Sequence, residues 1–285
     1  MTQIDQFESI FRAASKTQFE YSDWSVQKIL TVGDGSQQES TEIENQVKEF
    51  VSNSFDVAAI EWDSLNGSGF SSVKQLIDKV HESSPDLICC RRNLHIAADE
   101  YPYSLGVYVE VLTQATDIPV LLLPTPAADS AKQWHSESRK VIAITDHLDD
   151  DALLVNAAIK MTADDGTLHL AHIEDEKAFG RFMHVVEKIA EIDSETAHEK
   201  IKERLLLGPT DFVESCRQEI DTQGIKIKVE SVVQMGHNLS VYKELVESNE
   251  VDLVVLHTKD EDQLAMHGLA YPLAVELHQT PMLLI

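Results

Sequence analysis

The sequence predicts an α/β protein built from two tandem, mainly parallel sheets flanked by helices. Three observations carry that prediction: short apolar runs alternate with longer amphipathic stretches, the pattern occurs twice, and matching residues keep their spacing in both copies. The first copy closes on PDLICC (Pro85 to Cys90), Gly106 and IPVLLLP (Ile118 to Pro124). The second closes on VDLVVL (Val251 to Leu256), Gly268 and TPMLLI (Thr280 to Ile285). In each copy the glycine stands 13 residues before a proline, Gly106 before Pro119 and Gly268 before Pro281. Continuous apolar runs of five or six residues, bounded by Pro and polar residues, suit strands buried on both faces. Helical stretches between them make βαβ units and a parallel sheet.

Each half also opens alike, on an apolar run ending in an aspartate. KILTVGDGS (Lys28 to Ser36) carries Asp34, and KVIAITDHL (Lys140 to Leu148) carries Asp146. In the second half the pattern predicts strands at 141–146, 167–174, 225–235, 252–257 and 281–285. The helices between them are expected at 150–163, along a long region at 178–222, and at 239–249 and 264–278. The first half predicts only four strands, at 27–33, 56–62, 86–91 and 118–123, with helices at 38–53, 71–83 and 102–115. It is short of one βα unit. A helix is expected at 4–15, ahead of the first strand. The Pro-, Ala- and Ser-rich stretch PTPAADSAKQWHSES (Pro124 to Ser138) reads as a linker. The expected division is therefore 1–124, a linker at 125–138, and 139–285.

Composition narrows the function. The 285 residues are 43% hydrophobic and 25% charged, ordinary for a chain that buries a core. With 49 Asp+Glu against 23 Lys+Arg the formal net charge is −26. Split at Ser138, the excess is −12 in one half and −14 in the other, so no acidic tail explains it. Such a surface repels nucleic acid and anionic membranes, since phosphate binding needs Lys and Arg to displace counterions. Three cysteines, two of them adjacent (Cys89, Cys90), form neither a disulfide framework nor a CxxC motif. The opening MTQIDQFESIF has no signal-peptide pattern, and no apolar run reaches the ~20 residues that span a bilayer. The expectation is a soluble, cytoplasmic protein.

The strand-one Asp in AITDHL (Asp146), the DL-led fourth strand (Asp252, Leu253), the pre-helix Gly268 and the closing Pro-led strand together resemble the universal stress protein family. The resemblance covers most of 140–285 and, less completely, 27–124. It implies two Rossmann-like domains whose closing strands, 118–123 and 281–285, pair with each other, so that one chain imitates the family's dimer. Nucleotide-binding members of the family carry Gly, two residues, Gly, nine residues, then Gly with Ser or Thr after strand four. Glycines let the backbone approach phosphate, and helix N–H groups hold it. Here the first two glycine positions fall near His257 and Asp260, and Leu269 follows Gly268 in place of the hydroxyl. In the first half they fall near Arg91 and Leu94, and Val107 follows Gly106. Asp260, Glu261 and Asp262 would repel a phosphate, whereas Arg91 and Arg92 could attract an anion.

In a doubly wound sheet, ligands bind beyond the carboxyl ends of the strands. That edge should gather Asp146, His147, Glu174, Asp175, Gly236, His237, His257 and Gly268 in the second half, and Asp34, Arg91 and Gly106 in the first. The histidines and carboxylates could in principle hold a divalent metal, but no HxH or HxxxH pair on one element supports it, and no metal site is expected. His169 and His172, three apart in a strand, face opposite sides and cannot chelate together. The sequence has no GxSxG, and Cys89 and Cys90 lie in a buried run as small apolar residues. NGSGF (Asn66 to Phe70) reads as a plain loop, and Asn238 as the cap of the helix after Gly236. The functional expectation is a non-catalytic stress-response protein that binds a small ligand or a protein partner and needs no cofactor. The alternatives are an ATP-binding regulator with a divergent phosphate loop and, less favoured, a metal-assisted hydrolase built on Asp146, His237 and His257. The chain could be a homo-oligomer or a monomer with its two domains paired internally.

Overall fold

The computed structural model describes residues 18–96, 103–124, 137–145, 148, 152–189, 193–258 and 268–285. The helix expected at 4–15, nearly all of the linker, Asp146, His147 and the Asp260–Asp262 loop lie outside the described residues.

In chain order the first half contains β1 (Lys28–Val32), α1 (Gln37–Val51), β2 (Glu61–Leu65), α2 (Val73–Ser83), β3 (Leu87–Arg91), α3 (Val107–Ala115) and β4 (Val120–Leu123). The second contains β5 (Lys140–Ile144), α4 (Ala152–Met161), β6 (Thr167–Asp175), α5 (Glu176–Val186), α6 (Ser194–Gln223), β7 (Lys228–Gly236), α7 (Asn238–Ser248), β8 (Leu253–Leu256), α8 (Ala270–Glu276) and β9 (Met282–Leu284). All nine strands join one sheet in the order β2-β1-β3-β4-β9-β8-β5-β6-β7. The fold is α/β, as the alternation of runs predicts. Every pairing is parallel except β4 with β9, where Leu121 lies opposite Leu283.

Alternation along the strands divides the core cleanly. Ile29, Cys89, Leu121, Val141, Leu170 and Leu283 point to one face, covered by α1, α4 and α6. Leu30, Cys90, Leu122, Ile142, Ala171 and Met282 point to the other, covered by α2, α3, α7 and α8. The two adjacent cysteines therefore serve opposite faces. Burial pushes the Cys90 thiol up to about 12 and the Cys89 thiol well above its ordinary value. Neither is ionised at neutral pH, and thiolate chemistry is closed to both.

The repeated Asp-Leu pair has a structural cause. The Asp86 Oδ2 accepts from the backbone N–H groups of Gln27 and Lys28 at 2.8 and 2.9 Å. Asp252 Oδ2 does the same for Arg139 and Lys140 at 3.0 and 2.9 Å. Each carboxylate locks the start of the first strand of its half against the neighbouring strand.

Three elements differ from expectation. Residues 56–60 form a turn, because the Asp56 side chain accepts from Ala58 N–H and its carbonyl from Ala59 N–H. The strand starts five residues late, at Glu61. The long helical region is two helices, α5 capped by Asp175 and α6 capped by Asp193. The cap of α7 is His237, which leaves Asn238 as its first helical residue.

Residues 18–27 cross the face that carries α1, α4 and α6. The Phe19 N–H donates to Ser215 Oγ on α6 at 3.0 Å, and Lys160 on α4 pairs with Asp23 at 2.8 Å. Trp24 then packs edge-on against Phe55 of the first half. Among the described residues no helix is long and apolar enough to cross a membrane.

Candidate functional site

The carboxyl ends of the strands lie on one edge in each half, and the two edges are built differently. In the first half the described part of the loop after β3 folds back toward the strand ends. After β3 it turns back through Asn93 and His95, both at positive φ, and buries Leu94 and Leu105 completely. The Asp34 carboxylate accepts from the His95 N–H at 2.9 Å, so the expected ligand aspartate is engaged by the chain's own backbone. The His95 ring packs against Phe70 and Tyr108, with centroids 4.6 and 5.3 Å away. Gly106, at φ +84°, lies so close to Asn93 that an added Cβ would come within 2.8 Å of its Cα. That glycine allows a close approach of backbone to backbone, the same freedom a phosphate would need. Gly67 likewise abuts the Asp34 carbonyl, which makes NGSGF a packed loop.

The two arginines after β3 part company. Arg91 Nη2 donates to Gln46 Oε1 at 3.0 Å, and desolvation lowers its pKa against the pull of Asp34, Glu39 and Glu42. Arg92 is only 6% exposed and crosses into the second half, where it donates to the Ala274 carbonyl on α8 and contacts Met282 Sδ. Burial lowers its pKa to about 10, so it remains a cation at neutral pH. It faces the carbonyl end of α8, where positive charge is favoured.

Among the described residues, the second half carries a cleft at its edge. A cleft of about 750 Å³ is lined by Asp175 and Lys177, by His237 to Ser240 and Lys243, and by Gly268, Leu269, Pro272 and Glu276. Asp175 ends β6 directly opposite Gly236, which ends β7. Asp175 accepts from Lys177 and Ala178 N–H, and the Ala178 bond is the main cause of its lowered pKa. α7 is held beside β6 by Tyr242, whose buried hydroxyl accepts from Ile173 N–H at 2.9 Å. Its first turn therefore opens on the cleft, with no side-chain cap from His237 and with Asn238 Oδ1 buried and unpartnered among the described residues. On the far wall Lys243 pairs with Glu276 at 2.9 Å, which raises the lysine's pKa.

Of the expected residues, Asp175, His237 and Gly268 line this cleft, and Gly236 stands opposite Asp175 at the end of β7. His257 does not join them. Its Nδ1 lies 3.3 Å from the Ile285 carbonyl, and β8 is three strands from β7, roughly 14 Å at the usual strand spacing. Glu174 faces His172 at 3.4 Å instead. Among the described residues no cluster of three His, Cys, Asp or Glu is placed to hold a metal. Lys177, Lys243 and Glu276 carry no motif in the sequence, and helix packing alone brings them to the cleft.

The arrangement is that of known structures. A protein of unknown function from Pseudomonas aeruginosa PAO1 superposes with a TM-score of 0.52 at 13% identity over 92% of each chain. A candidate universal stress protein from Pseudomonas aeruginosa UCBPP-PA14 gives 0.51 at 12% identity, over 92% of this chain and 93% of that one. The chain thus has the fold of universal stress protein-like structures. No protein-family model and no curated protein sequence matches it.

Proposed function

We propose that this chain is a non-catalytic binding protein of the universal stress protein type, with one working ligand site, in the second half. The observation that carries the reading is the contrast between the two edges. Among the described residues the first buries Asn93, Leu94 and Leu105, with His95 left exposed above them, whereas the second retains a cleft of about 750 Å³. That volume suits a small molecule. The described walls balance Lys177 and Lys243 against Asp175 and Glu276, which favours a polar ligand of low net charge.

A nucleotide regulator is the second reading. It is favoured by the first turn of α7, which faces the cleft beside Lys177 and Lys243. Helix N–H groups and lysines are what a phosphate needs. Calorimetric titration of the full chain with ATP and magnesium, with AMP as control, separates the two. Under the second reading ATP gives saturable heat, and Lys177→Ala with Lys243→Ala weakens it by about tenfold or more, the loss of one charge-assisted contact. Under the first, ATP gives no heat, and a screen of small polar metabolites raises the melting temperature of the wild type but not of His237→Trp. Phosphate release during the titration, or binding lost on Arg91→Gln rather than on cleft substitutions, would overturn the proposal.

A further inference from the structure

β7 forms one margin of the sheet, and among the described residues no strand lies beyond it. The Lys228 N–H donates to the Gly166 carbonyl, so the even-numbered residues of β7 direct their backbone groups to β6. Val229, Ser231, Val233 and Met235 therefore direct theirs outward. The Arg217 Nε–H on α6 accordingly reaches the Val229 carbonyl, at 3.2 Å. Among the described residues nothing takes the outward N–H and C=O groups of Ser231, Val233 and Met235.

Natural sheets blunt their edges with short strands, charges, prolines or bulges. β2, at the other margin, follows that rule. It is five residues long, and its Glu61 and Asp63 carboxylates hold Lys28 at 2.7 and 2.9 Å. Only Trp62 and Ser64 point their backbone outward there, because the Glu61 N–H and the Leu65 carbonyl bond on the β1 side. β7 runs nine residues without a proline, and its two charged side chains, Lys228 and Glu230, both stand near its start. From Ser231 to Met235 it is uncharged, with Ser231 and Gln234 exposed and Val232, Val233 and Met235 half-buried.

We propose that two copies of this chain join β7 to β7 as an antiparallel pair about a two-fold axis at Val232, extending one sheet through both. Symmetry and charge select this occupant. Pairing β7 with β2 of another copy uses only two outward residues of β2 and leaves free ends that add further copies, whereas β7 on β7 closes. With the axis at Val232, Ser231 lies opposite Val233 of the other copy and Val229 opposite Met235. All four outward residues then bond within the facing strand. An axis one residue to either side sets Met235 or Val229 beyond the end of that strand. Between the bonded pairs Glu230 meets Gln234, Lys228 meets Gly236 and Val232 meets Val232, so no like charges face each other. The ladder from Val229 to Met235 is roughly 20 Å long, a small contact that makes the dimer reversible. Each copy carries a net charge of −26, so repulsion opposes association and salt, which screens it, strengthens the dimer.

Sedimentation equilibrium of the full chain, over a wide range of concentration and salt, tests the proposal. The wild type is expected to be a concentration-dependent dimer that tightens as salt is raised. Ser231→Pro removes an outward N–H while leaving the bonds to β6 in place, and should weaken self-association about tenfold or more without unfolding the chain. Gln234 is exposed, so its variants keep the fold. Gln234→Glu sets like charges opposite Glu230 and should weaken the dimer severalfold, whereas Gln234→Lys should tighten it. Facing residues at the axis have Cα atoms about 4.5 Å apart, within reach of a disulfide. Mild oxidation of Val232→Cys should therefore give a covalent dimer and that of Gln234→Cys should not, while Glu230→Cys mixed with Gln234→Cys should cross-link. Cys89, Cys90 and Cys216 are buried with raised thiol pKa values and do not compete. A wild type that stays monomeric under all conditions leaves the edge to a different partner and overturns the proposal. A dimer indifferent to both Ser231→Pro and Gln234→Glu overturns it as well, and a dimer that Val232→Cys fails to cross-link overturns the register. His237 and Lys243 are unchanged throughout, so ligand binding and self-association are read separately.

Discussion

At the scale of single residues, the positions that stand out in the sequence are largely absorbed by the chain's own packing. Asp34 receives a backbone N–H, Gly106 admits a neighbouring strand-end loop, and Arg92 binds a helix terminus in the other half. His169 has a related role. It is 5% exposed on β6, with Nδ1 3.3 Å from Glu230 on β7. Burial lowers its pKa from the ordinary 6.5, outweighing the opposing pull of Glu230. The unfolded chain therefore takes up a proton at a higher pH than the folded one. The contribution of His169 to stability is full above that range and is lost as pH falls through 6.5 toward the folded value. Urea midpoints measured from pH 7.5 to 5.5 should fall less steeply for His169→Gln than for the wild type. Equal slopes would show that His169 titrates alike in both states.

At the scale of elements, strands and helices followed from pattern wherever burial was two-sided. The runs at Leu87–Arg91, Val120–Leu123 and Leu253–Leu256 are apolar because helices cover both faces. Where a side chain competes with the pattern, the reading slipped. Asp56 takes local backbone bonds and delays β2, and Asp193 starts α6 afresh within the long helical region expected at 178–222. The Asp86 and Asp252 carboxylates act at this scale too, since each closes a pair of strands. Asp86→Ala and Asp252→Ala should each cost about 1–3 kcal/mol, the loss of a twice-used charged acceptor. The measurement is the urea midpoint at constant m-value. A change below a few tenths would mean that water replaces the carboxylate without penalty.

The whole molecule is held together across the middle of its sheet. β4 pairs with β9, Arg92 bridges to α8, and residues 18–27 run from α6 and α4 to Phe55. Separating the halves exposes a short, wholly apolar strand edge on each, Val120–Leu123 and Met282–Leu284, a template for pairing with another chain. Each half expressed alone should therefore self-associate or precipitate, and mixing them should recover a soluble pair, as judged by light scattering. Well-behaved monomeric halves would count against this role for the central strands. β2 lies at one margin of the sheet and β7 at the other.

Two-sided burial, repeated spacing and charge are local or one-dimensional properties, and the sequence alone determined what depends on them. The α/β class and the net charge of −26 were legible there. The closing strands carried a readable signal as well, but only through likeness to a family. What tertiary structure decided is which end residues face empty space. Asp34, Gly106, His237 and Gly268 look equivalent as letters, yet the first bonds the His95 N–H, the second is packed against Asn93, and the last two border a cleft. That difference depends on how loops far apart in sequence fold over a strand end, and on volume, which no residue spacing encodes. The same holds for Lys243 and Glu276, 33 residues apart, which form one wall because two helices pack side by side on one face of the sheet.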